Sequence, residues 1–412
     1  MKARLLGVLT ISLGLDTLAC QRVQRAPPTR EALETVADPA EWGAIFAPQY
    51  ASYAQPDFAV PRERLDEDPR LARLYAGSAY ERSLKSTRDH AHALEDVKAT
   101  ARLTPSTKAM CLTCKSASYR GIVGAPPDDA EAEAEFSARL FSDVVAEADA
   151  PVACLDCHDP LAMDTERKLR VSRPAFLRAT PGAVSAPQGA LRSYVCGQCH
   201  SEYYARPVVL ADGREGSIVE HPTARGVRIE DIIAFYDAIA HSDFIHPVSG
   251  APLLKLQHPQ YELWSQGPHG ASQVSCTHCH MPSTDAGHSH SVAAATAKIE
   301  TTCGSCHKKR DAKTARADIS AIQAGIDARL SSVADQLVEA HAQTGALRAR
   351  RGDAAALDAQ RVLRAAQARW DFIASENSRG FHAPAESTRI LDDAARLLSE
   401  LLLSLAHEGG SP

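Results

Sequence analysis

Aromatic side chains are scarce in this 412-residue chain: Phe, Trp and Tyr together make up 5% of it, and Met occurs four times. Aromatics normally supply much of a large core, so the interior is underfilled unless non-protein groups occupy part of it. A basic excess is also lacking. The net charge is −6, which leaves no electrostatic footprint for nucleic acid. No apolar run reaches the ~20 residues of a membrane span. The longest candidate, Leu5 to Leu15 behind Lys2 and Arg4, is shorter and resembles a secretory signal over residues 1–20. Export of the mature protein, to the periplasm, is therefore the expectation. Thr17-Leu18-Ala19-Cys20 is a loose match to a lipoprotein cleavage box, so a lipid anchor on Cys20 is one expectation and loss with the signal is the other.

Cysteine, by contrast, is plentiful: eleven residues, ten of them in five Cys-x-x-Cys pairs. Four pairs are followed by histidine: Cys154-Leu-Asp-Cys157-His158, Cys196-Gly-Gln-Cys199-His200, Cys276-Thr-His-Cys279-His280 and Cys303-Gly-Ser-Cys306-His307. With 17 histidines in the chain, four such hits by chance have odds on the order of one in a hundred thousand. The pattern is that of c-type haem attachment: two thioethers hold one porphyrin edge, and the next side chain reaches beneath the ring to the iron. Disulfide frameworks of this density belong to much shorter chains. Zinc ribbons use two pairs per metal, so five would leave one over, and neither motif needs the histidine.

The fifth pair, Cys111-Leu-Thr-Cys114-Lys115, ends in lysine. A carrier haem has two strong protein ligands, whereas a haem that performs chemistry needs an open position. A lysine must be neutral to coordinate, which is costly and implies specialised use. The histidines outside the motifs that could close the other irons are His90, His92, His221, His241, His246, His258, His269, His278, His288, His290, His341, His382 and His407.

Residues 26–70, rich in Pro, Ala and charge, suggest a wrapping segment with short helices. The pattern from Leu71 to Arg102 is helical, and the acidic stretch Asp128 to Glu135 reads as a solvated face. Val208 to Val219, turning at Asp212-Gly213, predicts a hairpin and the only sheet. Beyond Cys306, Ile319, Ile322, Ile326, Leu330, Val333 and Leu337 recur at helical spacing, and Leu357–Ile373 and Ile390–Leu405 look alike. Breaks are expected at Gly345, at Gly352 and at Gly380-Phe381-His382-Ala383-Pro384. The expected fold is mainly α, with haems packed in the core, little β and long antiparallel C-terminal helices. Its parts are a leader (1–20), a pentahaem region (21–310) and a helical region (311–412) within the same compact domain.

From about residue 40 to residue 400 the chain resembles the pentahaem ammonia-forming cytochrome c nitrite reductases, whose motifs run in this order, the lysine type first. The likeness is strongest in Cys196–Tyr204, Lys255–His269, Cys276–Pro282 and Trp370–Pro384. It implies five covalently bound haem c groups and a catalytic iron held by Lys115, with nitrite met by Arg102, Tyr203 and His258. In Cys199-His200-Ser201-Glu202-Tyr203 and Lys255-Leu256-Gln257-His258-Pro259 it implies a Ca²⁺ site made of Glu202, the Tyr203 and Lys255 carbonyls, and Gln257. Such all-oxygen ligation suits calcium independently. By family spacing, His90 (rival His92), His290 (rival His288), His382 and His269 would be distal ligands of the third, second, fourth and fifth haems. A homodimer and a multihaem electron donor, either a membrane quinol dehydrogenase or a soluble cytochrome, are implied partners. The C-terminal part looks short for the family, so the helical dimer interface would be reduced. Two rivals remain: a reductase of hydroxylamine, nitric oxide or sulfite, and a non-catalytic electron-transfer cytochrome.

Overall fold

The computed structural model describes residues 28–409 apart from 56–59, 87, 125–128, 166–167 and 293. The expected leader and Cys20 lie outside the described residues, as does Asp128. Helices dominate, and three of them form the C-terminal bundle: Ala312–Arg351, Asp353–Ala374 and Pro384–Gly409. Asp311 caps the first by accepting from the Thr314 amide, and Gly352, at φ +85°, breaks it from the second. Ile319, Ile326, Val333 and Leu337 are buried on one stripe, while Ile322 and Leu330 are half-buried at its edge. The helix does not break at Gly345. A Cβ there would stand 2.5 Å from Val248, so this glycine admits a neighbouring loop rather than ending the helix.

A large apolar cluster joins the bundle to the rest of the chain, linking Leu71, Tyr75, Tyr204, Ile229, Leu253 and Leu256 to Leu337, Leu363, Trp370 and Leu398. Buried polar bonds reinforce it. Gln367 donates to the Leu74 carbonyl, and Arg364 to those of Pro252 and His241. Among the described residues no helix is long and apolar enough to cross a membrane.

Three local expectations change. The stretch from Leu71 to Arg102 is not one helix: it divides into Arg70–Leu74, the 3-10 turns Ala79–Glu81 and His90–His92, and the helix Ala93–Lys98. Gly77, at φ +89°, lets the chain turn where a side chain would meet the Ile245 carbonyl. The acidic stretch forms the helix Ala130–Ala138, but Glu133 on it is buried. Its carboxylate accepts from Arg178 and from the Val219 amide, an ion pair that periodicity cannot reveal. The expected hairpin is present as β1 (Tyr204–Val209) against β2 (Glu215–Glu220), antiparallel, with Val209 opposite Glu215. It is not alone: two further two-residue ladders pair Phe244–Ile245 with Pro252–Leu253 and Ser283–Thr284 with Gly287–His288.

Candidate functional site

All ten described cysteines line one cavity of about 3060 Å³, and none is bonded to another. That volume is about three times the upper end for a single small-ligand site. The pairs sit on short turns of several kinds, Cys111 in the 3-10 turn Ala109–Leu112 and Cys303 just past the helix Ile299–Thr302. Cys154–Cys157 and Cys276–His280 are single helical turns, and Cys196 ends the helix Gln188–Gly197. One turn puts both thiols on one side, with the following residue at the turn's end. Neighbouring motifs touch. Cys114 meets Cys199 and Cys196 meets Cys276, so the first, third and fourth attachment points form a row.

The second motif is tied in by a buried ion pair, Arg173 with Asp156 at 2.5 Å, the two side chains being 2% and 5% exposed. The Arg173 amide also donates to Gln198 of the third motif, and its guanidinium reaches the Ser116 carbonyl beside Lys115.

The attachment histidines are not alone. Ring centres lie 6.2 Å apart for His90 and His200, 6.0 Å for His158 and His290, 6.3 Å for His280 and His382, and 6.2 Å for His269 and His307. An iron between two imidazoles, about 2 Å from each nitrogen and roughly 1 Å more from each ring centre, needs a separation of about 6 Å. The four pairs fit a haem iron each. Burial lowers His90, and takes His158 to about 4 and His200 to about 3, which keeps these rings in the neutral form that binds metal. His382 is shifted the other way: burial lowers it, but the Glu376 carboxylate 2.8 Å from its Nδ1 more than offsets that. The rival rings face elsewhere, His92 toward the Asp89 carboxylate at 2.6 Å and His288 toward the Met281 carbonyl at 3.0 Å.

Of the remaining candidates, His221, His246 and His341 are engaged in the polypeptide. His221 donates to the Glu202 carbonyl, and His246 to the Arg73 carbonyl. His341 is stacked on His246 at 3.9 Å and bonded to Ser249 and Gln367.

Lys115 is half-buried in the same cavity with Arg102, Tyr203 and His258. The Tyr203 and His258 rings stack at 6.5 Å. Burial drives the His258 imidazole well below its ordinary range, with Lys115, His200, Lys255 and Arg102 adding to the effect. Burial likewise holds Tyr203 well above the usual phenol value. The pocket thus combines a guanidinium, a neutral imidazole and a protonated phenol.

Glu202 is 1% exposed, and its carboxylate accepts from Tyr236 at 2.7 Å and from the Gln257 amide at 2.6 Å. Glu262 and Asp243 stand near it, and burial raises it far above a normal carboxylate. Among the described residues no cationic side chain pairs with it, so a bound cation would supply the missing charge. The Lys255 carbonyl is close by, but the side-chain amide nitrogen of Gln257 donates to it at 3.0 Å, and its Oε1 accepts from Tyr80 at 2.9 Å. A cation at that carbonyl would take the place of the amide donor.

Sequence patterning did not single out Tyr80, Glu262, Arg173 or Asp371. The Glu262 carboxylate accepts the Glu202 amide, and Asp371 pairs with the buried Lys255 ammonium at 3.0 Å. Asp156, between two attachment cysteines, and Glu262, Asp371 and Glu376, inside the stretches of strongest family likeness, had positional signals; Tyr80 and Arg173 had none.

Comparison with known proteins fits this geometry. The family model of cytochrome c552 matches residues 38–407. A cytochrome c-552 of Aliarcobacter butzleri is 30% identical over 98% of this chain and 84% of its own, and one of Bacteroides thetaiotaomicron is 33% identical over 81% and 67%. Among solved structures, the catalytic subunit of the cytochrome c nitrite reductase of Desulfovibrio desulfuricans, described for its two calcium sites, superposes with a TM-score of 0.80. It is 25% identical, over 91% of this chain and 87% of that one. The chain belongs to the cytochrome c552 family of multihaem c-type cytochromes.

Proposed function

We propose that the protein is a periplasmic, ammonia-forming nitrite reductase carrying five haem c groups. The observation that carries this reading is an asymmetry in the cavity. Each of the four histidine-type motifs has a second imidazole about 6 Å from its own, whereas Lys115 has Arg102 and the His258 ring near it; that ring stacks on Tyr203 and also lies 6.1 Å from His200. Haem iron, when bound there, supplies one open coordination position and a path for electrons from the other four.

The chain's own residues have distinct tasks. Arg102 neutralises the anionic oxygens of nitrite. His258, kept neutral by burial, accepts and passes protons, and Tyr203 holds a phenolic proton beside it. Converting nitrite to ammonium takes six electrons and eight protons, so groups that hold protons at the site are needed throughout. Haems held by the four histidine-type motifs would supply electrons to the site at Lys115, beginning with the third motif, whose Cys199 meets Cys114. A calcium ion held by Glu202, the Tyr203 and Lys255 carbonyls and Gln257 would fix the two loops that carry Tyr203 and His258. A homodimer and a multihaem donor complete the assembly.

The test is an anaerobic assay with reduced dye on the purified haem protein. One ammonium formed per nitrite consumed supports the reading, and Lys115→Ala should lower the rate by at least about 10²-fold. Wholly low-spin spectra with no turnover would leave an electron carrier instead. Intact mass counts the haems in the same sample.

A further inference from the structure

Tyr80 lies where the anion-binding arginine and the loop of His258 meet, and no pattern in the sequence marks it. It sits on the 3-10 turn Ala79–Glu81, where the Ser78 hydroxyl accepts its amide. The Arg102 guanidinium lies over its ring, 4.5 Å from the centroid. The Lys255 ammonium is 5.2 Å from the same centroid, but it is tied to Asp371. The Tyr80 hydroxyl donates to Gln257 Oε1 at 2.9 Å, one residue before His258.

Arg102 itself spends only its Nε on the protein, donating to the Thr100 hydroxyl at 3.2 Å. Among the described residues its terminal nitrogens have no hydrogen-bond partner. An arginine stacked on an aromatic ring keeps its terminal N–H groups free, and its orientation is set without consuming a donor. A carboxylate partner would hold it as firmly, but would cancel the charge that an anion needs.

We propose that Tyr80 is a positioning residue for anion selection: it holds Arg102 in place while leaving the charge and both terminal nitrogens for the oxygens of nitrite. The proposal rests on the reading of the pocket given above. Its distinctive consequence is that Tyr80 matters for an anionic ligand and not for a neutral one of similar size. Hydroxylamine, uncharged at neutral pH, makes no such demand on the guanidinium.

The experiment titrates the oxidised haem-loaded protein with nitrite and with hydroxylamine, following the spectral change at the open iron. Tyr80→Leu removes the aromatic face and should weaken nitrite binding by roughly tenfold, with hydroxylamine changed by less than about twofold. Tyr80→Phe retains the face and should bind both ligands within about threefold of the parent. Equal weakening of both ligands by Tyr80→Leu, or no weakening of nitrite, overturns the proposal. If Tyr80→Leu fails to load haem, Tyr80→Met decides by the same comparison. A parent protein that binds neither ligand refutes the pocket reading itself, an outcome separate from a failure of Tyr80.

Discussion

The buried pair of Lys255 and Asp371 offers a stability experiment whose size follows from the structure. Asp371 is fully buried and Lys255 is 6% exposed. The aspartate accepts from the Lys255 ammonium, the Tyr75 hydroxyl, the Leu256 amide and the Ser375 hydroxyl. Asp371→Ala strands a buried ammonium, whose remaining partners are the Leu256 carbonyl and the Ser375 hydroxyl. Breaking such a pair costs about 3–5 kcal/mol. The unsatisfied Tyr75 hydroxyl and Leu256 amide push the value toward the upper end. In a chain of 412 residues that corresponds to a fall in melting temperature of roughly 3–6 °C. Removing both charges, in Lys255→Met with Asp371→Leu, restores apolar packing and should cost about 2 kcal/mol less than Asp371→Ala alone. Denaturant unfolding of the haem-loaded protein, followed by far-UV circular dichroism and by haem absorbance, gives both numbers. If Asp371→Ala cost under about 1 kcal/mol, or the double variant were the less stable, the pair would not be the buried ionic tie described.

Three further outcomes are expected. His341 has an ordinary value of 6.5 and is pushed down to about 3, mainly by burial and then by the stacked His246. Its neutral form is bound by Ser249 and Gln367, so the stability it contributes is complete above pH 6.5 and is lost as the pH falls toward 3. His341 should account for about 2 kcal/mol of the stability lost between pH 7.5 and pH 5, and His341→Asn should remove that share, leaving the part due to other buried histidines such as His221. Arg173→Ala leaves the Asp156 carboxylate buried among three attachment motifs, and should cost about 3–5 kcal/mol in unfolding; Arg173→Lys, without the planar fork, should recover only part of it. Removing calcium with a chelator, or making Glu202→Gln, should lower nitrite turnover by about 10–100-fold while leaving the haem count by mass unchanged. Full activity in the metal-free protein would remove the ion from the site.

Much of this molecule can be read from its sequence because covalent cofactor chemistry leaves rigid signatures. The Cys-x-x-Cys pairs, the lysine after Cys114 and the C-terminal heptad-like stripes each impose a spacing that composition alone would not produce. Spacing did not choose between neighbours such as His90 and His92, which are two residues apart. In the fold the Asp89 carboxylate takes the His92 ring, while the His90 ring faces His200. Glu133 shows the converse limit. It sits in an acidic run that looks solvated, yet its partner Arg178 arrives from 45 residues away. Gly345 looks like a stop but is a contact with Val248. Tyr80 carries no pattern at all, since its neighbours Arg102, Lys255 and Gln257 are assembled by the fold.

The great cavity also constrains how the protein comes into being. Without its prosthetic groups, a cavity of about 3060 Å³ lined by all ten described cysteines leaves that part of the chain with little apolar packing of its own. The haem-bearing part would therefore gain its packing from the haems, while the apolar cluster around the C-terminal helices has packing of its own. Each motif is a contiguous stretch of five residues, readable without tertiary structure, so attachment to an open chain would let the helices condense around groups already in place. A variant that loses one attachment cysteine should accordingly be destroyed by proteolysis during maturation rather than accumulate as a four-haem protein.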